Sequence, residues 1–353
     1  MIKKTSLEKG YIRGKSQEIN TDPILVERAI FAFELLSLLV KGKIPLIFKG
    51  GTSLMILMPE LKRLSIDVDI VTEAEDTILK NAFNTLISES LFKRWEEDKR
   101  TANKEVPKRH FKFYYDSPVV ESELYILLDI LRSKPIYPSV IKKAILHPIF
   151  EVEEEIEVSI PSINSITGDK LTAFAPKTIG ISYGRGKSME IIKQLFDLGI
   201  LFEFINDLRE VFSSYQNIAE FESGYIKSEM PIEAFMDDSI ETSFLLCQSG
   251  FKGCVENDET KELKAGIKRI KSHVLGGKYS ILQAKRDASK VAFLASMMRD
   301  GRLDVDFEEI RKNRQDLEIT KDINLPDNYS ILNKLKKISP ESFYLWAVVN
   351  RVI

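Results

Sequence analysis

The sequence reads as an α+β protein in two parts: an N-terminal domain with a mixed sheet flanked by helices, then an all-α C-terminal domain. Two patterns point there. Between residues 45 and 160, short aliphatic runs of strand length alternate with turn signals and helical stretches. After about residue 204 the strand pattern stops, and the apolar residues recur at helical spacing. The chain has 353 residues, which at roughly 100–200 residues per domain leaves room for two domains or three. The expected division is a flexible N-terminal arm over 1–22, a mixed domain over 23–205 and a helical domain over 206–353.

The elements follow in order. Residues 1–20 are polar, with two glycines and no periodicity, and predict a loose arm. Thr21-Asp22-Pro23 is a helix start, a capping side chain followed by proline in the first turn. Ile24, Ala29, Ile30, Phe33, Leu36 and Leu39 carry that helix to about Val40, and Gly42 ends it. Pro45 to Phe48 predicts a buried strand. Gly50-Gly51-Thr52-Ser53 breaks it, and a short helix over 54–58 closes at Pro59. Asp67 to Val71 alternates acid and aliphatic, a strand with one polar face. A helix over 74–90 follows, then strands over 111–115, 124–131 and 158–160. The helical half has segments near 208–215, 231–247, 260–274, 279–298, 307–313, 331–338 and 340–352.

Composition excludes several classes. With 44% hydrophobic and 29% charged residues the chain is too apolar to be disordered. Lys+Arg total 51 and Asp+Glu 53, a net charge of −2, so this is no wholly basic nucleic-acid binder. Two cysteines, Cys247 and Cys254, make no disulfide framework, and three histidines make no His-rich zinc site. They read as reduced thiols of a cytoplasmic protein. The N-terminus lacks the apolar core of a signal peptide, and the most apolar stretch, residues 30–40, is too short to span a bilayer and contains Glu34.

The informative stretch is Phe48-Lys-Gly-Gly-Thr-Ser-Leu54, followed by Arg63-Leu-Ser-Ile-Asp-Val-Asp-Ile70. It predicts strand, glycine turn, short helix, loop, strand. Gly50 and Gly51 let the backbone approach a ligand and present N–H groups at a helix start, which suits an anion. Thr52 and Ser53 add hydroxyls. Asp67 and Asp69 leave one face of a strand with Cα atoms about 6.5–7 Å apart, suited to holding Mg²⁺. A tight turn beside a solvated strand face is the plainer alternative, but two aspartates are unfavourable in a strand and need a reason. Asp129, alone among aliphatic neighbours in its strand, must be paired or metal-bound. A salt bridge to Arg132 or Arg63 would also account for it.

These motifs resemble the nucleotidyltransferase superfamily, the polymerase-β-like fold. More narrowly they are similar to the AbiEii/AbiGii-type toxins of abortive-infection, or type IV toxin–antitoxin, systems. Asp129 falls where that family places its third strand acid. Residues 163–174 resemble its helix with an essential lysine, matched by Lys170, and Lys193-Gln-Leu-Phe-Asp-Leu198 resembles its Arg-Asp-x-x-Asp-Leu motif, matched at Asp197 but not at Lys193 and Gln194. The resemblance covers about residues 25–205. It implies that Asp67, Asp69 and Asp129 hold Mg²⁺ or Mn²⁺, and that Gly50 to Ser53 bind the triphosphate of an NTP. Lys170 would neutralise phosphate charge, and Asp197 would orient the phosphate or the acceptor. Outside the resemblance, Lys170 would read as an exposed helix lysine and Asp197 as a surface acid.

Gly180-Ile-Ser-Tyr-Gly-Arg-Gly-Lys-Ser188 imitates a Walker A loop but has five residues where four are required, so it reads as a connecting loop.

Two basic segments bear on the acceptor. Residues 261–290 hold nine Lys/Arg against two acids, a net of +7 in helical pattern with His273 and Tyr279 interleaved. Lys264, Lys268, Arg269 and Lys271 are the candidate RNA contacts. Residues 93–112 hold eight Lys/Arg against four acids and read as a solvated face. The five glutamates between 151 and 157 read as a solvated linker that could meet a basic antitoxin. The expected function is a metal-dependent nucleotidyltransferase toxin acting on RNA, with tRNA as the candidate acceptor, an antitoxin partner and no membrane. A protein acceptor on the same fold, or a catalytically silent nucleotide- or RNA-binding module, are the alternatives.

Overall fold

The computed structural model describes residues 1–60, 62–98, 108–227, 229–254 and 256–353. The chain forms two compact units: residues 1–162 with 272–278, and residues 163–271 with 279–353.

The first unit begins with helix, where a loose arm was expected. A 3₁₀ turn, Lys4–Leu7, leads into α1, Lys9–Glu18. Ile2, Leu7 and Ile12 are buried. They are too widely spaced to make a periodic stripe, but each finds an apolar partner once α1 lies on the next helix. That helix, α2, runs Pro23–Lys41; the Asp22 side chain accepts from Ile24 N at 2.7 Å and Gly42 closes it. From Val26 to Leu39 only Arg28 is not buried, so α2 is the centre of this unit's core and is apolar nearly all round. Phe31 stacks on Tyr115 with ring centroids 3.9 Å apart. Glu27, sunk in the same helix, accepts from Tyr115 Oη, Ser117 Oγ and Val119 N, which satisfies its carboxylate.

The strands are β1 (Ile47–Lys49), β2 (Val68–Thr72), β3 (Phe92–Glu97), β4 (Lys108–Asp116), β5 (Glu123–Arg132), β6 (Val140–Ala144) and β7 (Glu157–Pro161). They form one sheet in the order β3-β4-β5-β2-β1-β7-β6. The pairs β2–β5 and β1–β7 are parallel and the rest antiparallel, so the sheet is mixed as expected. Helix α3 (Gly50–Leu57) leaves β1 directly, and α4 (Asp76–Glu89) follows β2. On β4, Phe111, Phe113 and Tyr115 are buried, packing with Phe83 of α4, Phe92 and Phe31. His110 and Lys112 alternate with them and so face the other side. The acidic run is not a free linker: Val152 bridges Ile2, and Glu151 pairs with Lys3 at 2.9 Å.

The second unit is helical: α5 (Ile163–Ala173), α6 (Ser188–Leu201), α7 (Leu208–Ile226), α8 (Ile232–Gln248), α9 (Asp258–Ile270), α10 (Ile281–Arg299), α11 (Phe307–Asn313), α12 (Leu335–Ile338) and α13 (Pro340–Val349). The units therefore separate ahead of α5 and not near 205. The reason is packing: α5 lies on α6 and α7, and Gly168 meets the backbone of Val211 so closely that a Cβ would stand 2.6 Å from its oxygen. Residues 180–187 belong to the irregular connection from α5 to α6, and Ser188 already opens α6.

Candidate active site

In the first unit the sheet aligns one row of side chains across four strands. Lys49 of β1 is the register partner of Asp69 of β2. Asp69 is the partner of Asp129 of β5, and Asp129 of His110 of β4. Register partners share a face, so Lys49, Asp69, Asp129 and His110 stand side by side on one surface. Asp69 and Asp129 are half-buried, while Val68, Ile70, Leu128 and Ile130 between them are buried on the other side.

The glycine turn meets this row. Gly50 has φ +76°, and a Cβ there would stand 2.0 Å from Asp69 Oδ2. The position needs glycine twice over, for the left-handed backbone and for the carboxylate. A Cβ on Gly51 would stand 2.6 Å from Arg63 Nη2 and 2.8 Å from Ser65 Oγ. The guanidinium of Arg63, itself buried, is thus packed against the turn and not, as one sequence alternative had it, against Asp129. Helix α3 begins at Gly50 without a capping side chain. Its first N–H groups and positive dipole end lie at the turn that packs against the Asp69 carboxylate.

Thr52 and Ser53 depart from expectation. Both are fully buried, and their hydroxyls donate within the turn, Thr52 Oγ1 to Asp67 O at 2.5 Å and Ser53 Oγ to Gly50 O at 2.9 Å. They fix the turn against the start of β2; in this arrangement they offer no hydroxyl hydrogen to a ligand.

Asp129 does not pair with Arg132 or Arg63. Its Oδ1 lies 2.7 Å from His110 Nδ1, and His110 and Asp129 side chains are 20% and 30% exposed. His110 carried no signal in the sequence, because the contact depends on the register of two strands.

Among the described residues no three His, Cys, Asp or Glu side chains already form a group that could hold a metal ion. The sheet supplies a pair of carboxylates, Asp69 and Asp129, with Asp67 two residues before Asp69. This donor set fits a small hard cation: Mg²⁺ is held by one or two carboxylates together with substrate phosphate and water, not by a closed protein cage.

In the second unit, Lys170 of α5 and Asp197 of α6 form an ion pair, Nζ to Oδ2 at 2.7 Å. The side chains are only 6% and 2% exposed. Neither is the exposed helix residue expected outside the family resemblance. Gln194 Oε1 accepts from Lys170 Nζ at 3.3 Å, so one of the two positions departing from the family motif still serves the lysine. Lys193 pairs with Glu190.

The family model for the nucleotidyl transferase AbiEii toxin of type IV toxin–antitoxin systems matches residues 35–277, well over half of the chain. The chain belongs to this AbiEii family. It is therefore a nucleotidyltransferase, of the family that the sequence resembles. No curated protein matches the chain. Among solved structures it is similar to JHP933 from Helicobacter pylori, at 15% identity and a TM-score of 0.45, over 83% of this chain and 98% of that one. A candidate nucleotidyltransferase from the same organism shows 16% identity and a TM-score of 0.44, over 78% and 94%. An antigenic nucleotidyltransferase-like protein from Paracoccidioides brasiliensis shows 13% and 0.36, over 58% and 94%.

In this AbiEii-family chain the basic stretch 261–290 is not one surface. Helix α9 ends at Ile270, residues 272–278 belong to the first unit, and α10 starts at Ile281. Tyr279 is buried, its hydroxyl donating to Asp287 at 2.8 Å. Lys285 is buried beneath Phe251, its ammonium 3.7 Å from the ring centroid and donating to Cys247 O. Burial pushes its pKa down to about 8. Lys290 pairs with Glu203 at 2.8 Å. Of the four candidate RNA contacts, Lys264 pairs with Glu256 and Arg269 donates to Ser188 Oγ at 3.3 Å. Lys268 and Lys271 are exposed and have no protein partner among the described residues. The other basic segment includes 99–107, outside the described residues. No helix among the described residues is long and apolar enough to cross a membrane.

Proposed function

We propose that this nucleotidyltransferase moves a nucleotide from an NTP to RNA, with tRNA as the first acceptor to try, as the toxin of a cytoplasmic toxin–antitoxin pair. One observation carries the site assignment: the glycine turn, the uncapped start of α3 and the Asp69–Asp129 pair meet at one place on the sheet. Gly50 and Gly51 with the following N–H groups hold phosphate oxygens, and Thr52 and Ser53 pin the turn that presents them. Asp67, Asp69 and Asp129 hold Mg²⁺ or Mn²⁺, whose charge would offset that building on the α-phosphoryl oxygens. The acceptor hydroxyl attacks the α-phosphorus in line. Its oxygen bonds to phosphorus, the bond to the leaving pyrophosphate breaks, and the hydroxyl proton departs to a carboxylate or water. Lys170 and Asp197 belong to the phosphate-handling set on the family motif. Exposed Lys268 and Lys271 support a polyanionic acceptor; the buried Tyr279 and Lys285 reduce that support and keep a protein acceptor as the competing reading.

The test incubates the full chain with each labelled NTP, Mg²⁺ or Mn²⁺, and either total cell RNA or lysate protein. Label should enter RNA, need the divalent ion, and fall by about 10³-fold or more in the Asp67→Asn, Asp69→Asn double variant. Undiminished transfer by that variant would sink the site; label entering only protein would replace the acceptor.

A further inference from the structure

We propose that His110 is a positioning residue for nucleotidyl transfer: its Nδ1 holds Oδ1 of Asp129 and leaves Oδ2 for the cation. The inference rests on the site assigned above and adds a residue to it. His110 is the third residue of β4, on the face opposite the aromatic core of Phe111, Phe113 and Tyr115. Its register partner is Asp129, whose own register partner on the far side is Asp69. His110 therefore closes the row of acids at the end away from Lys49.

The chemistry of the contact fixes its direction. An ionised carboxylate only accepts, so at 2.7 Å the hydrogen is on His110 Nδ1. Oδ1 is the one atom of Asp129 so engaged; Oδ2 has no protein partner among the described residues, on a side chain 30% exposed. A carboxylate with two equivalent oxygens can rotate and bind a cation in several ways. With one oxygen tied to an imidazole, itself fixed by the strand, a single oxygen remains in a single orientation. Partners that orient ligating groups in this way are typically worth about 10–100-fold in metal affinity or activity.

A plainer account is that the pair only stabilises the sheet, as exposed cross-strand pairs do. That account predicts a change in melting and none in metal affinity. The experiment uses the full chain with His110→Phe, which keeps an aromatic ring without a donor, and His110→Asn, which keeps a short N–H donor. Mn²⁺ alone is titrated and followed by water proton relaxation, and transfer is then measured with labelled NTP. In His110→Phe, Mn²⁺ affinity and kcat should each fall by about 10–100-fold with KM for NTP changing much less. His110→Asn should recover a large part of both. In wild type, ¹⁵N NMR of the three histidine rings should show one Nδ1–H form that is lost in Asp129→Asn, a readout that survives even if the phenylalanine variant misfolds. The inference fails if His110→Phe keeps wild-type Mn²⁺ affinity and kcat, if no ring is in the Nδ1–H form, or if Asp129→Asn changes neither affinity nor transfer. Failure of the wider reading looks different: Asp67→Asn and Asp69→Asn would then leave transfer intact, whereas here they abolish it while His110→Phe does not.

Discussion

The two charged centres of this chain use the same groups under opposite conditions. In the first unit Asp69 and Asp129 lie half-exposed on a sheet face, next to each other and bracketed by Lys49 and His110. In the second unit Lys170 and Asp197 are sealed between α5 and α6 and satisfy each other. Adjacent acids repel and cost the fold something, which is tolerable where a cation is to be received. A buried pair contributes little net stability, yet losing either partner alone is costly, because the survivor stays buried without its counter-charge. Exposure therefore separates the acids proposed to receive a cation from the buried pair that also holds the fold.

The largest expected effect breaks this comparison if it fails. Lys170→Met should destabilise the chain by about 3–5 kcal/mol in urea unfolding, since it removes the ammonium that pairs with the buried Asp197 carboxylate. Asp69→Asn should move stability by no more than about 1 kcal/mol, or raise it by relieving repulsion. The double variant Lys170→Met, Asp197→Leu should regain most of the loss. If it folds and still transfers nucleotide and slows growth when expressed, Lys170 has no part in the chemistry.

A second effect belongs to the helical unit. Lys285 has a folded pKa of about 8 against 10.5 for an ordinary lysine, because burial disfavours its charge. Between those values the unfolded chain binds the proton and the folded chain does not, so stability should rise with pH from about 8 to 10.5. The full rise is roughly 3 kcal/mol at most, reduced by the bond to Cys247 O and the Phe251 ring. Lys285→Met should flatten it and stabilise the protein at pH 7. A pH profile from 7 to 10.5 that is the same in both proteins would show that Lys285 stays charged when folded.

Two glycines sharpen the comparison at a smaller scale. Gly50 in the first unit and Gly184 in the second both have positive φ, +76° and +72°. Alanine at either strains the backbone by about 1–2 kcal/mol. At Gly184 nothing lies within 4 Å of the added carbon, so that strain should be the whole effect and transfer should persist. At Gly50 the carbon would displace the Asp69 carboxylate, and transfer should be lost along with Mn²⁺ binding. Equal transfer in the two variants would separate the turn from the acids.

What the sequence disclosed follows from how local each signal is. The cap at Asp22, the stripe of α2, the glycine turn and the Asp67–Asp69 spacing are contained within a few residues. The two strands that the pattern did not reveal, β3 and β6, are the two edges of the sheet, and an edge strand carries charge where a central strand carries aliphatics. His110 on Asp129 spans 19 residues of chain and depends on strand register. Burial of Lys170 depends on α5 meeting α6, which no periodicity within either helix encodes. The charge count over 261–290 misled for the same reason: it summed residues that the fold sends to two units and partly to the interior.

The smallest effect expected is on the basic end of α9. Replacing Lys264, Lys268, Arg269 and Lys271 by Gln should change stability by under about 1 kcal/mol, since the pairs involved are largely exposed. Four independent phosphate contacts would flatten the log–log salt dependence of RNA binding by about 3, at roughly 0.7–0.9 per contact. Of the four, only Lys268 and Lys271 have no protein partner among the described residues, so a change of about 1.5 is expected, with a modest loss of affinity. Reverting those two alone to lysine should restore the wild-type slope. NTP binding, assigned to the glycine turn, should hold steady throughout. A slope equal to wild type in the fourfold variant would take RNA off this helix. A protein acceptor would then become the leading reading, because the segment with the largest charge excess in the sequence, 261–290, would have no part in drawing in a polyanion.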